Sequence, residues 1–169
     1  MRLLLAFKIL LFTLLVPGTV IFYIPYALVS ESNGNLLLPA NLLLAFPALA
    51  CFLLGLALYL RCAWDFAVIG LGTPAPIDPP KTLVVTRPYL WNRNPMYMGV
   101  FLILFAECLL FLNTGLLMYT SAVVLIFNAI VVFYEEPLLH KKFGDAYSQY
   151  CDKVPRWSFV FRAPPIDSD

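Results

Sequence analysis

The chain has 169 residues, enough for one domain; 62% are hydrophobic and only 12% charged, about half the charged share of a soluble globular protein. Eleven Lys/Arg against ten Asp/Glu leave a net charge of +1, too weak a field for nucleic-acid binding, and a mean hydropathy of +0.84 excludes a disordered chain. Four cysteines without a C-x-x-C pair and a single histidine, His140, argue against a zinc site and a disulfide framework, so no metal is expected. A Ser-His-Asp hydrolase would need His140 and a G-x-S-x-G nucleophile run, and the run is absent.

In chain order, uncharged stretches cover Ile9 to Val29 (21 residues), Leu36 to Leu60 (25) and Gly115 to Tyr134 (20). Each spans an apolar layer of ~30 Å at ~1.5 Å per residue. A fourth stretch, Met96 to Leu112, has 17 residues and one charge, Glu107. The expectation is an all-α, polytopic membrane protein with about four transmembrane helices. The first stretch is long, follows directly on Lys8 and has no small-residue cleavage site, so it reads as an anchor rather than a secretory signal. The whole chain, 1–169, reads as one domain: two N-terminal transmembrane helices (1–60), a loop (61–95), a helical hairpin (96–134) and a C-terminal segment (135–169).

Charge sets the expected topology. The Ser30 to Asn35 connection carries Glu31 and no basic residue, and Asn113-Thr114 carries no charge. All eleven basic residues fall at the start (Arg2, Lys8), in the long loop (Arg61, Lys81, Arg87, Arg93) or after the last crossing (Lys141, Lys142, Lys153, Arg156, Arg162). By the positive-inside rule both termini, and the chemistry, lie on the cytoplasmic side of an integral membrane protein. The Asn113-Thr114-Gly115 connection predicts a tight third/fourth helix hairpin whose inner ends bring two sequence-distant polar segments together.

The loop holds Gly70, Gly72, Pro74, Pro76, Pro79, Pro80, Pro88 and Pro95 and reads as extended, with a strand-like run at Leu83-Val84-Val85-Thr86. In Arg93-Asn94-Pro95-Met96-Tyr97-Met98-Gly99, Asn94 suits an N-cap and Pro95 the first helical position. The positive end of that helix favours an anion, and Gly99 permits close approach of a ligand or of another helix. Glu135-Glu136-Pro137 places two carboxylates where a transmembrane helix is expected to end, against its dipole, so something should compensate them. Beyond them Leu139, Phe143, Tyr147 and Tyr150 recur on one face of an expected C-terminal amphipathic helix. Glu107 needs a partner within the membrane, and Asn128 is the candidate.

Taken together, Gly70-Leu71-Gly72-Thr73-Pro74-Ala75-Pro76, Arg87-Pro88-Tyr89, Arg93-Asn94-Pro95-x-Tyr97-x-Gly99, Glu135-Glu136-x-Leu138, Phe143-Gly144-x-x-Tyr147-x-x-Tyr150 and Val154-Pro155-Arg156 carry a resemblance. Their order and spacing resemble the isoprenylcysteine carboxyl methyltransferase and phospholipid methyltransferase family of integral membrane enzymes. Asn94, where the eukaryotic carboxyl methyltransferases have histidine, resembles the bacterial branch. The resemblance implies S-adenosylmethionine as methyl donor and a lipophilic or lipid acceptor. It implies a donor site from Tyr89, Asn94, Pro95, Tyr97, Gly99, Glu135, Glu136, His140, Tyr147 and Tyr150. Glu135 and Glu136 would balance the donor's cationic groups, and the C-terminal segment would act as a lid. A carboxylate acceptor, as in isoprenylcysteine-like O-methylation, needs no base and would be oriented by Arg93 or Arg156, with Glu136 beside them. Phospholipid or amine N-methylation would need His140 or a glutamate to take a proton. A non-enzymatic four-helix protein binding a lipid or a partner is the reading from another class.

Overall fold

The structure, a computed structural model, describes residues 2–31, 41–70 and 82–158. The expectations for Ser32 to Asn35, for the start of the second apolar stretch, and for Gly72, Pro74, Pro76, Pro79, Pro80, Lys81 and Arg162 lie outside them. Among the described residues eight α-helices form: α1 (Arg2–Leu15), α2 (Ile24–Glu31), α3 (Leu42–Asp65), α4 (Arg87–Trp91), α5 (Pro95–Phe111), α6 (Thr114–Ile130), α7 (Glu136–Phe143) and α8 (Asp145–Lys153). Among the described residues there is no strand.

Wide, π-helical turns at Thr19–Tyr23 and Val131–Glu135 join neighbouring helices into longer rods, and a third at Phe66–Gly70 extends α3. Two of these turns end two residues before a proline, Pro25 and Pro137. A proline ring collides with the carbonyl four residues back in a regular helix, and widening the turn relieves the collision without ending the helix. The result, among the described residues, is three helical rods long and apolar enough to cross a membrane, Leu10–Glu31, Leu42–Ile69 and Thr114–Phe143, plus the shorter apolar helix Pro95–Phe111. Their outward faces are greasy: Leu43 is 81% exposed, Phe46 76% and Phe133 80%, which water does not tolerate in contiguous stripes and lipid does. The chain is an integral membrane protein.

Two expected boundaries shift. The second crossing continues past Leu60 through Arg61, because Arg61 pairs with Asp65 one turn on, at 3.2 Å, and the helix carries both charges. Helix therefore continues through Gly70, into the segment expected as a loop from residue 61. Likewise Glu135 and Glu136 do not end a helix but sit within the Thr114–Phe143 rod, so the expected clash with a helix terminus does not arise.

The main packing surface lies between α3 and α5. Gly55 and Gly99 face each other there: a Cβ on Gly55 would stand 2.6 Å from the Gly99 carbonyl oxygen, and one on Gly99 2.8 Å from that of Gly55. Gly99 thus serves the approach of a helix, not of a ligand, in the manner of small residues at membrane helix crossings. Around the crossing, Tyr59, Ala63, Val100, Ile103 and Leu104 form a core with Ile21 and Val123. Leu112, with φ of 48°, and Asn113 connect α5 to α6, and Asn113 caps α6 by accepting from the Leu116 N–H at 2.9 Å. α5 packs far more on α3 than on α6.

The expected amphipathic helix after Pro137 breaks at Gly144, whose φ of 54° and ψ of −128° suit only glycine, and becomes α7 and α8. The aromatic face survives the break, because Tyr147, Tyr150 and Val154 still cluster with Leu139 and Phe143. The strand-like run is extended but has no partner strand. Its side chains alternate: Val84 packs with Cys62 and Tyr89, whereas Leu83 and Val85 pack on the Tyr147-Tyr150 cluster. That alternation explains its composition.

Candidate active site

The start of α5 is a polar corner that receives the C-terminal segment. The Arg93 N–H donates to the Pro155 carbonyl at 3.0 Å, Asn94 Nδ2 to the Arg156 carbonyl at 3.1 Å, and Asn92 Nδ2 to the Ser158 carbonyl at 3.1 Å. Asn94 occupies the N-cap position ahead of Pro95, but its side chain does not cap the helix. It holds the 155–158 strap instead. Asn92 takes over locally, its Oδ1 accepting from the Asn94 N–H at 2.6 Å, an Asx turn. Trp157 closes the strap on α6 by donating to Asn128 Oδ1 at 2.9 Å.

The acidic doublet meets this corner. Arg156 grips Glu136 through two parallel bonds, Nε to Oε1 at 2.8 Å and a terminal nitrogen to Oε2 at 2.7 Å, and Arg93 approaches Oε1 at 3.3 Å. Such fork-to-fork pairing is the strongest form of ion pair. The Glu136 hydrogen bond holds the Arg156 guanidinium above its ordinary pKa. Glu135 accepts a hydrogen bond from the Tyr97 hydroxyl. The compensation that the doublet requires is thus supplied by two arginines and a tyrosine from distant parts of the chain.

A cavity of about 480 Å³ joins these parts, a size typical of a site for one small organic ligand. Arg93, Asn94, Tyr97, Glu135 and Glu136 form its polar wall, with Tyr89, Tyr147 and Tyr150 beside them. Phe12, Val16 and Val20 of the N-terminal segment and Phe127, Ile130 and Val131 of the last crossing form its apolar wall. Tyr147 and Tyr150 are 2% and 3% exposed, and burial pushes both phenols above their ordinary pKa, so they remain neutral. The Tyr150 hydroxyl donates to the Tyr89 carbonyl at 2.6 Å and fixes α8 over α4.

Eight of the twelve residues singled out in the sequence line this cavity, and four do not: Pro95, Gly99, His140 and Arg156. Pro95 and Gly99 are buried in the helix start and the α3 crossing. His140 is exposed, its ring packed edge-on to Tyr147 with centroids 4.7 Å apart. Arg156 reaches the site only through Glu136. The expected pairing of Glu107 with Asn128 does not form, because the two lie at different depths. In an antiparallel pair turning at Leu112-Asn113, Glu107 sits near the turn and Asn128 about ten residues deeper, roughly 15 Å apart along the axis. Glu107 instead lines a second cavity beside Thr19, Tyr23 and Tyr26.

Four contributors escaped the sequence reading. Asn92 is fully buried and ties both the corner and the strap. Asp65, 2% exposed, accepts from Thr86 Oγ1 at 2.7 Å and anchors the segment leading into α4. Cys151 meets an Arg93 terminal nitrogen. Trp157 supplies the last bond of the strap. The Asn-x-Asn spacing at 92 and 94 and the Arg61/Asp65 interval were available signals; nothing local marked the other two.

One site feature speaks to a ligand. Arg93 Nε is buried and has no hydrogen-bond partner, a costly state for a charged donor. Arg93 and Glu135 both line the cavity, so its wall sets a guanidinium and a carboxylate around one space. A scan of family models matches residues 43–146 to phospholipid methyltransferase. No curated protein and no solved structure matches the chain. Proteins of the matched family generally use S-adenosylmethionine. The match covers more than half of the chain and includes both the polar corner and the acidic doublet, so the chain belongs to the phospholipid methyltransferase family and is a membrane methyltransferase.

Proposed function

We propose that the chain transfers a methyl group from S-adenosylmethionine to a lipophilic carboxylate, with four crossings and the site at the cytoplasmic face. The observation that carries the reading is a single cavity lined by both the Arg93 guanidinium, held by Glu136, and the Glu135 carboxylate, held by Tyr97. A cationic donor answers Glu135, and an anionic acceptor answers Arg93. Glu135 would face the donor's positive groups, and the first-turn N–H groups of α5, which have no partner within the helix, would receive its carboxylate. Tyr147 and Tyr150 offer apolar faces for the adenine. When bound, the donor supplies a methyl group on an electrophilic sulfonium.

The remaining tasks fall to the chain. Arg93, which lines the cavity, would orient the acceptor carboxylate through its guanidinium. Arg156 acts as a positioning residue, holding Glu136 and through it the far end of Arg93. The strap over the corner excludes water, which leaves the attacking oxygen less hydrated. Among the described lining residues no base is idle: Glu136 is held between two arginines and Glu135 by Tyr97. A carboxylate acceptor needs no base, whereas an amine must lose a proton. The name of the matched family favours a second reading, N-methylation of a phospholipid amine, with Glu135 taking the proton.

Positive-inside charge supports the orientation, and Pro95–Phe111, at about 25 Å, is long enough to complete a fourth crossing of a locally thinned bilayer. The test is a screen in proteoliposomes with labelled donor, comparing lipophilic carboxylates, isoprenyl thioether acids and aminophospholipids. Label in base-labile methyl esters is expected. Label confined to amine headgroups would replace the first reading by the second.

A further inference from the structure

Phe12, Val16 and Val20 are spaced four residues apart, so they share one face of the N-terminal rod, and all three line the cavity that also holds Arg93 and Glu135. This face is fixed in place from both sides. Thr13 Oγ1 and the Tyr59 hydroxyl lie 2.9 Å apart, tying α1 to α3, and the Tyr119 hydroxyl donates to the Val20 carbonyl at 2.9 Å, tying the wide turn to α6. The pinned stretch leaves a gap. α1 touches the Phe66–Gly70 turn and α2 packs on α6, but α1 scarcely meets α6, whose Phe127, Ile130 and Val131 form the opposite apolar wall. Val16, 46% exposed, stands at the rim where the cavity meets the surroundings of the rods. The match to the phospholipid methyltransferase family begins at residue 43, so this wall belongs to a part of the chain outside the matched segment.

We propose that one apolar chain of the methyl acceptor lies against this face, and that Phe12, Val16 and Val20 set the length and bulk of chain accepted, whatever the headgroup. The assignment rests on reading the polar end of the same cavity as the methyl-transfer site. Its physical basis is continuity: the apolar wall and the polar wall enclose one space of about 480 Å³, too small for a donor and a complete lipid together. Only part of the acceptor chain fits inside, and what limits that part is the wall opposite α6. Hydrophobic pockets of this kind discriminate by the space they leave, on the order of tenfold or more per misplaced methylene.

The experiment uses the full chain in liposomes and n-alkyl carboxylates, from dodecyl to octadecyl, carrying a terminal diazirine. Photolabelling that is competed by the unlabelled carboxylate is expected in the peptide containing Phe12 to Val20. Val20→Phe should lower competable labelling by the octadecyl probe about tenfold relative to the dodecyl probe. Phe12→Ala, which removes bulk and covers the case in which the larger side chain prevents folding, should shift the preference towards the longer probe. Leu14→Phe, on the other side of the same helix, should keep the wild-type ratio. Unchanged ratios in both wall variants, or an equal shift in Leu14→Phe, would overturn the proposal. The readout is binding of the probe, so it is separable from the donor reading: calorimetry on the same samples showing no donor binding, with the length shift intact, removes the methyltransferase site but keeps the wall.

Discussion

The α3–α5 crossing and the polar corner at the start of α5 hold one helix in place by opposite means. At the crossing, Gly55 and Gly99 bring two backbones into contact with nothing between them. At the corner, less than two turns away, Asn92, Arg93, Asn94, Glu136 and Arg156 are joined by directional bonds. Within the bilayer there is no water to squeeze out, and close packing is the available source of attraction. At the surface, polar groups must be paired with each other or left to water, and a cavity that excludes water demands the first. The crossing sets where α5 stands, and the corner sets what its first turn presents.

The difference predicts how each region breaks. Gly99→Leu is expected to have the largest effect, loss of folded protein in detergent, because its side chain would meet α3 backbone with no flexible neighbour to give way. Size-exclusion chromatography checks it; a monodisperse variant with normal yield would show that the helices do not cross this closely. Glu136→Ala comes next, at about 3–5 kcal/mol, since it leaves two guanidinium groups without their shared carboxylate. Thermal unfolding of the purified protein reads this out, and an unchanged midpoint contradicts the pairing. Asn92→Ala should cost about 1–3 kcal/mol by orphaning the Ser158 carbonyl and the Asn94 N–H. It should also speed proteolysis after Lys153, which a strap held elsewhere would not show. Arg156→Lys should be mildest, about 1 kcal/mol or less, keeping the charge but losing the bidentate grip.

The two regions also differed in how much of them the sequence disclosed. The crossings were visible as uninterrupted apolar runs, and the meeting of Arg93 with the Glu135-Glu136 doublet followed from motif order and a short turn at Asn113. The glycine crossing was half visible: Gly99 stood out, but whether it admitted a ligand or a helix depended on Gly55, an isolated small residue in an apolar run. The end of the last crossing misled, because the uncharged run stops at Tyr134 while the helix continues through a wide turn at Val131–Glu135 and past Pro137. Charge misled in the same way at Arg61, which stays helical through Asp65. Asn94 was recognised by position and misjudged by role, since N-cap preference is local and the strap that claims its amide arrives from residue 156. The N-terminal wall could not be seen, because Phe12, Val16 and Val20 look like any lipid-facing stripe until α6 stands opposite them.

The central claim is that the corner and the acidic doublet enclose one ligand site for S-adenosylmethionine. Isothermal calorimetry of the purified wild-type protein and of Glu135→Gln tests it most directly. Saturable binding to the wild type, weakened on the order of tenfold in a Glu135→Gln variant that unfolds at the same temperature, is the expected result. A correctly folded wild-type protein that takes up no donor, or a variant that binds it as tightly, would contradict the account.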